Sequence, residues 1–212
     1  MQAKLILTFI ILLCLIVPVV AQDMEKDTIR LKETIIHNTS KKPKRLSYKF
    51  RYGSCRSYEY LSVSNYTELA SFANDMPQGK IVKLRFDFNN RFDDNSKVNF
   101  TDTLLEINFY EVAEDGFPGE KIASKTITVP GSHTGNMDID VSELGVYNVD
   151  GIYIALNRLT NDKEIGVNEF EVNCSCAGNK KYTMMARRGK TWILKSGLYQ
   201  PTAFHLVVTL EA

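Results

Sequence analysis

Three histidines, four cysteines and one pair of alternating aspartates are the groups in this 212-residue chain best suited to covalent or acid-base chemistry. Histidine is the usual proton carrier near neutral pH, because its imidazole titrates there. His37 lies in a polar stretch, His133 follows Gly131 in a turn-forming run, and His205 faces away from an apolar stripe. No two are brought together by sequence. A histidine paired with Cys55 or a serine would make a hydrolase nucleophile, but the local signatures Gly-x-Ser-x-Gly and His-Glu-x-x-His are both absent. Asp138 and Asp140 are two apart, so on a strand their carboxylates share a face and can grip a cation or act on a sugar. As the wet half of an alternating strand they need no such role, and glycoside hydrolysis requires two carboxylates across a cleft. Asp93-Asp94-Asn95 gathers oxygen ligands without EF-hand spacing, and a turn explains it. The expectation is no catalytic residue, no metal and no cofactor.

Cys14 falls in an apolar leader, which leaves Cys55, Cys174 and Cys176 as disulfide candidates. Cys55 can pair with either of the other two, whereas Cys174 and Cys176 bridge each other poorly. One thiol is left over. Three thiols without a nearby histidine do not match the paired spacing of structural zinc sites.

Aromatic side chains give the better lead for binding. Tyr52, Tyr58, Tyr60 and Tyr66 crowd one segment, and Tyr182, Trp192 and Tyr199 flank the cysteine-containing stretch. Flat rings stack on sugar faces and anchor protein partners at small conformational cost, although strands are rich in aromatics for packing alone. Tyr182, Trp192 and Tyr199 are therefore the candidate ligand-binding residues. Lys180-Lys181 and Arg187-Arg188 lie beside Trp192, which suits an anionic glycan or partner surface and equally a solvated hairpin. Asn-x-Ser/Thr triplets at Asn38, Asn65, Asn99 and Asn173 matter only in a eukaryotic secretory pathway.

These residues must be positioned by an exported chain. Lys4, the apolar run over 5–20 and the close Val19-Val20-Ala21 read as a cleaved signal peptide, because the run is shorter than the roughly 20 residues of a membrane span. Ile11-Leu12-Leu13 before Cys14 is not a lipobox. Removing 21 of 212 residues leaves 191, enough for one domain with a full core. With 26 Lys+Arg against 25 Asp+Glu, a general attraction for nucleic acid or anionic membrane is not supported. The run Lys41-Lys42-Pro43-Lys44-Arg45 reads as a solvated linker.

Beyond the leader, residues 22–45 form a polar lead-in or edge segment, and 46–212 a single domain. Two-residue alternation recurs there, the period of half-buried strands. Val82, Leu84, Phe86 and Phe88 alternate with Lys83, Arg85 and Asp87. Leu105, Ile107 and Phe109 point inward, with Glu106 and Asn108 facing water. Met137, Ile139 and Val141 stand against Asp138 and Asp140, Ile152, Ile154 and Leu156 against Tyr153 and Ala155, and Phe204, Leu206, Val208 and Leu210 against His205, Val207 and Thr209. Turn-formers separate them at 114–119, 130–132, 161–162 and 178–179. Only short helices are expected, over 67–74 and at Ser142-Glu143-Leu144. The pattern predicts an all-β fold, an antiparallel two-layer β-sandwich.

Lys83-Leu84-Arg85-Phe86, the strand ending Tyr110-Glu111-Val112, the turn Gly116-Phe117-Pro118-Gly119, the segment Asp138-Ile139-Asp140-Val141-Ser142 and the strand Gly151-Ile152-Tyr153-Ile154-Ala155-Leu156 resemble a group of exported bacterial jelly-roll modules of uncharacterised function. Such modules accompany carboxypeptidase-regulatory-like β domains and outer-membrane uptake systems. The resemblance runs over 68–210, departs from the group in the insert 173–190, and carries over no functional residue. It implies a jelly-roll-like sandwich working in the periplasm, at the cell surface or outside the cell. The expected function is a non-enzymatic binding or accessory module that presents loops or a sheet face to a glycan or a cell-envelope protein, with no nucleic-acid partner and no membrane span in the mature chain. A secreted hydrolase with a loop-borne site and a structural part of an envelope assembly are the alternatives.

Overall fold

The computed structural model describes residues 44–49, 56–60, 67–89, 93–94, 97–98, 102–159, 170–176, 184–195 and 202–212. All of them lie in one compact unit, Lys42–Ala212. Residues 1–21, read from sequence as a signal peptide, and most of the expected lead-in fall outside the described residues.

In chain order the strands are β1 (Arg45–Lys49), β2 (Arg56–Tyr60), β3 (Glu68–Ala73), β4 (Gly79–Asn89), β5 (Asp93–Asp94), β6 (Lys97–Val98), β7 (Thr103–Val112), β8 (Pro118–Val129), β9 (Thr134–Asp140), β10 (Tyr147–Asn148), β11 (Ile152–Arg158), β12 (Glu171–Cys176), β13 (Met184–Arg188), β14 (Thr191–Leu194), β15 (Thr202–Phe204) and β16 (Leu206–Glu211). One 3-10 turn, Ser142–Leu144, stands where a short helix was expected. The strands make a two-layer antiparallel sandwich. The first sheet has the order β1-β16-β4-β12-β15, with β2 on β12 and β9 and β10 on β4, and the second has the order β14-β13-β3-β11-β7-β8. Among the described residues β5 pairs with β6. The chain passes repeatedly between layers: β3 lies in the second sheet, β4 in the first, β7 and β8 in the second, β9 and β10 in the first.

β4 is the hub of the first sheet. Its residues 83–89 pair with β9, while β16 and β12 divide the opposite edge between them. Leu84, Phe86 and Phe88 point into the core as their alternation predicts, but Val82 does not lead that stripe. The ladder slips between Thr209 and Leu210, so Leu210 pairs with Ile81, and Ile81 enters the core in place of Val82. An extra residue in one strand reverses the faces beyond it. Phe86 stacks on Phe88 at 5.3 Å and meets Phe204 edge-on at 5.7 Å. From the other layer come Leu69, Leu105, Ile107, Phe109, Ile152, Ile154 and Leu156, completing one apolar core. A polar bridge joins the layers where the Phe204 N–H of β15 donates to Ser71 Oγ of β3 at 2.8 Å.

Two expectations fail in the second sheet. Residues 67–74 carry no helix; Glu68–Ala73 is a central strand between β13 and β11. Both its faces are buried, so no polar stripe marks a strand period. The outer face of this sheet is also not wet: Asn108 is 1% exposed, and Tyr153 and Ala155 are 2% and 0% exposed. Outward-pointing rings and amides pack on one another there, forming a second apolar cluster of Ala70, Tyr110, Tyr153, Ala155 and Met185.

Candidate functional site

The outer face of the second sheet is where polar chemistry and aromatic surface meet. Alternation along each strand aims Glu68, Ala70 and Phe72 of β3, Tyr153 and Ala155 of β11, and Asn108 and Tyr110 of β7 away from the main core. Ladder register then makes them neighbours: Ala155 stands between Ala70 and Asn108, Tyr153 between Phe72 and Tyr110, and Glu68 opposite Arg187 of β13. Two methyl groups thus floor the centre of the face. Phe72 stacks on Tyr153 at 4.9 Å, and Trp192 of β14 meets Tyr110 edge-on at 5.4 Å.

At the centre of the polar part lies the Glu68 carboxylate, 3% exposed. The Tyr110 hydroxyl donates to it, 2.9 Å from each oxygen. Asn108 Nδ2 donates to Oε1 at 2.6 Å, and Arg187 Nη1 donates to Oε2 at 3.2 Å. A buried carboxylate needs such partners, since an isolated charge in the interior is costly. Burial pushes the Tyr110 phenol well above its usual value, and the Glu68 charge adds to the shift. Glu106 extends the network, accepting from Asn108 Nδ2 at 3.0 Å and Asn157 Nδ2 at 3.4 Å, with Lys121 Nζ at 3.6 Å. Burial alone would raise the Glu106 carboxyl, but these hydrogen bonds and the lysine charge outweigh it and hold it below its usual value. Tyr153 donates to the Gly116 carbonyl at 2.6 Å, and burial, with Asp115 nearby, pushes its phenol up to about 12.

Arg187 joins the polar and aromatic parts. Its guanidinium carbon lies 5.7 Å from the centre of the Trp192 ring, within cation-π range. Its backbone carbonyl is held by the Thr67 N–H at 3.0 Å and the Thr67 hydroxyl at 3.2 Å. Nη1 serves Glu68 and, at 3.4 Å, the Tyr110 oxygen, while Nε has no hydrogen-bond partner. Asn108 Oδ1 is likewise buried without a partner.

Of the ligand-binding residues predicted from sequence, Trp192 lies on this face, and Tyr182 and Tyr199 fall outside the described residues. So do Tyr52 and Tyr66; Tyr58 and Tyr60 belong to β2. Cys55 also lies outside them. Cys174 is buried in the core, with Sγ donating to the Val172 carbonyl at 3.6 Å, and Cys176 ends β12 opposite Thr202. Asn173, 2% exposed, donates to Asp87 Oδ2 at 2.8 Å, so its Asn-x-Ser triplet is closed to modification in the folded chain.

The candidate acid-base groups are separated into structural roles. His133 Nε2 lies 3.2 Å from the Gly135 carbonyl, and His205 Nδ1 lies 4.0 Å from Asp87 Oδ2; His37 is outside the described residues. Asp138 is gripped by Arg85 through both Nε and Nη2, with Lys83 Nζ at 3.3 Å, and the Arg85 hydrogen bond leads the causes that hold its carboxyl at about 2. Asp140 accepts from the Ser142 N–H at 2.9 Å and hydroxyl at 2.6 Å, starting the 3-10 turn. The two aspartates therefore hold different partners and do not act as a pair.

Glu68, Asn108 and Tyr110 escaped sequence reasoning because they are far apart in the chain and none carries a motif. Only the nearness of Arg187 to Trp192 was visible.

No protein-family model matches the chain, and no curated protein sequence matches it. Among solved structures, the chain is similar to the clostridial cysteine protease Cwp84 after propeptide cleavage, with a TM-score of 0.54 and 13% identity over 81% of this chain and 42% of that one. It is also similar to the structure of the cysteine protease and lectin-like domains of Cwp84, a surface layer associated protein of Clostridium difficile, with a TM-score of 0.51 and 11% identity over 74% of this chain and 36% of that one. The chain spans less than half the length of these proteins, and identity this low establishes likeness of fold alone.

Proposed function

We propose that this protein is an exported, non-enzymatic binding module whose ligand, a glycan of the cell surface or envelope, is taken on the outer face of the second sheet. The carrying observation is the junction on that face of a partly buried Trp192 ring with the fixed Arg187–Glu68–Tyr110 network. A ring beside rigid polar groups fits a pyranose, whose axial C–H face stacks while its hydroxyls exchange hydrogen bonds. Export rests on the leader over 1–21, and no helix among the described residues is long and apolar enough to cross a membrane. That one fold neighbour includes a domain described as lectin-like, in a protein described as surface layer associated, supports the same reading by analogy.

The test is a glycan array probed with the mature chain and with Trp192→Ala, which truncates a side chain on a four-residue edge strand. The expected result is binding to a defined sugar class, weakened at least about tenfold by the truncation, as for a central aromatic anchor. Failure to bind any sugar class, or binding indifferent to Trp192, overturns the proposal.

A structural role in an envelope assembly is the second reading. It is favoured by β8, twelve residues long and, among the described strands, paired with β7.

A further inference from the structure

The row of outward side chains that begins at Trp192 continues past the Arg187–Glu68 pair. Ladder register sets Trp192 of β14 beside Arg187 of β13, Arg187 beside Glu68 of β3, and Asn157 of β11 beside Glu106 of β7. Because Leu69 pairs with Leu156, Glu68 stands next to Asn157, and the row crosses the sheet without a break. It runs at right angles to the strands. Four strand spacings of about 4.8 Å put Trp192 and Glu106 about 19 Å apart.

The far end of the row is a second polar station that the Trp192 junction does not use. Asn108, Asn157 and Lys121 all direct their nitrogens at Oε2 of Glu106. Oε1 takes no hydrogen bond from a described residue and, unlike Oδ1 of Asn108 or Nε of Arg187, is not sealed from water. Oδ1 of Asn157 is in the same position, since that residue commits only its Nδ2 to Glu106. Two acceptors held by the protein thus stand open side by side, with the Lys121 ammonium as a neighbouring donor. Groups already fixed lose little freedom when a ligand binds. Midway along the row Glu68 is 3% exposed and taken up by its own partners, so contact falls at the two ends.

Open acceptors select hydroxyl donors. A carboxylate or sulfate brings no hydrogen to Glu106 Oε1 or Asn157 Oδ1, and the Glu106 charge repels it despite Lys121. The straight row also selects a chain shape. A β-1,4-linked pyranose chain is an extended ribbon in which each ring advances about one strand spacing, whereas an α-1,4-linked chain coils away from one end. We infer that this face takes a neutral β-1,4-linked glycan chain laid across the strands, about five rings long, with one ring on Trp192 and another giving hydroxyl hydrogen bonds to Glu106 and Asn157. The inference rests on the proposed glycan-binding role and adds the ligand class and the direction of the chain.

Calorimetric titration of the mature chain with cello-, N-acetylchito- and manno-oligosaccharides of two to six units reads the length of the site. In at least one series affinity should rise about tenfold or more from the trisaccharide to the pentasaccharide and level off at the hexasaccharide. Asn157→Ala removes an acceptor at the far end at the cost of one long hydrogen bond within the protein. It should weaken the pentasaccharide about threefold to tenfold, the range of a single hydrogen bond, and leave a trisaccharide held at Trp192 unchanged. Because the length series uses the unmodified chain, it decides the matter even where the variant folds poorly. Equal affinity at all lengths, tighter binding of an oligogalacturonate than of the neutral chains, or no binding in any of the three series overturns the inference. Where the glycan array still shows binding that depends on Trp192, the glycan-binding role stands without it. Absence of binding to all of these sugars and to the array removes both.

Discussion

At the scale of single residues, the Tyr110 hydroxyl explains how a carboxylate is kept inside the outer face. It donates to both oxygens of Glu68, so ionising the phenol would set two negative charges against each other in a site with little water. Burial first, and the Glu68 charge second, therefore hold its proton more tightly in the folded chain than in the unfolded one. A group of this kind adds stability that is fully present below its unfolded value of 10.0, and the contribution is lost as pH rises through the higher folded value. Tyr153, held at about 12, acts in the same direction. The urea midpoint should fall as the pH is raised from 10 toward 12, and Tyr110→Phe should make that fall shallower. At neutral pH the same substitution should cost about 2 kcal/mol, since it removes a donor from a buried charge. Alkaline profiles of wild type and Tyr110→Phe that differ only by a constant would contradict this role. Little of this arrangement was legible beforehand. Trp192 stood out as the single tryptophan, but Glu68 precedes a Leu-Ala-Ser run that reads like a helix surface, and its partners lie 40, 42 and 119 residues away.

At the scale of elements, sequence periodicity performs well where one face of a strand is wet and poorly where neither is. The stripe of β9 was readable because exposed Asp138 and Asp140 alternate with Met137 and buried Ile139. β3 was not, because its outward face is as dry as its inward one and alternation lost its contrast. The slip in β4 at Val82 is invisible for another reason: apolar side chains stand at both 81 and 82, and only the partner strand decides which enters the core. Close backbone approach leaves a similar mark at the start of β11. Gly151 has φ +110, and a Cβ there would lie 2.8 Å from Cε2 of Phe72, the ring that stacks on Tyr153. Gly151→Ala combines an unfavourable backbone region with that clash, so it should destabilise the domain by about 2 kcal/mol in urea denaturation. A double variant, Gly151→Ala with Phe72→Ala, should recover the part due to the clash. If Phe72→Ala adds its full independent cost to that of Gly151→Ala, the close approach does not matter and the argument fails.

At the scale of the whole sandwich, the layers were predictable from many alternating strands, but which strands would lie at the edges was not, since alternation says nothing about neighbours. Among the described strands β8 is the long edge of the second sheet, and an edge of this length invites pairing with another chain. Three features oppose it. The β7–β8 ladder is irregular around Tyr110, and Glu120, Lys121 and Lys125 place charges along the strand. Lys125 also reaches across to the first sheet, donating to the Asp140 carbonyl at 2.7 Å and pairing with Glu143. Its ion pair is too exposed to matter greatly for stability, where such pairs contribute about 0 to 1 kcal/mol. Its larger effect is to keep a charge at the edge while tying that edge to the other layer. Replacing Lys121 and Lys125 together by Val should therefore leave the thermal midpoint nearly unchanged while producing concentration-dependent dimers and larger species, measured by light scattering and size-exclusion chromatography. A double variant that remains monodisperse at high concentration would show that the irregular ladder protects the edge without the lysines. Should wild type itself associate through β8, and Glu120→Lys abolish that association, the edge is an assembly surface and the structural reading of this module gains over the glycan-binding one.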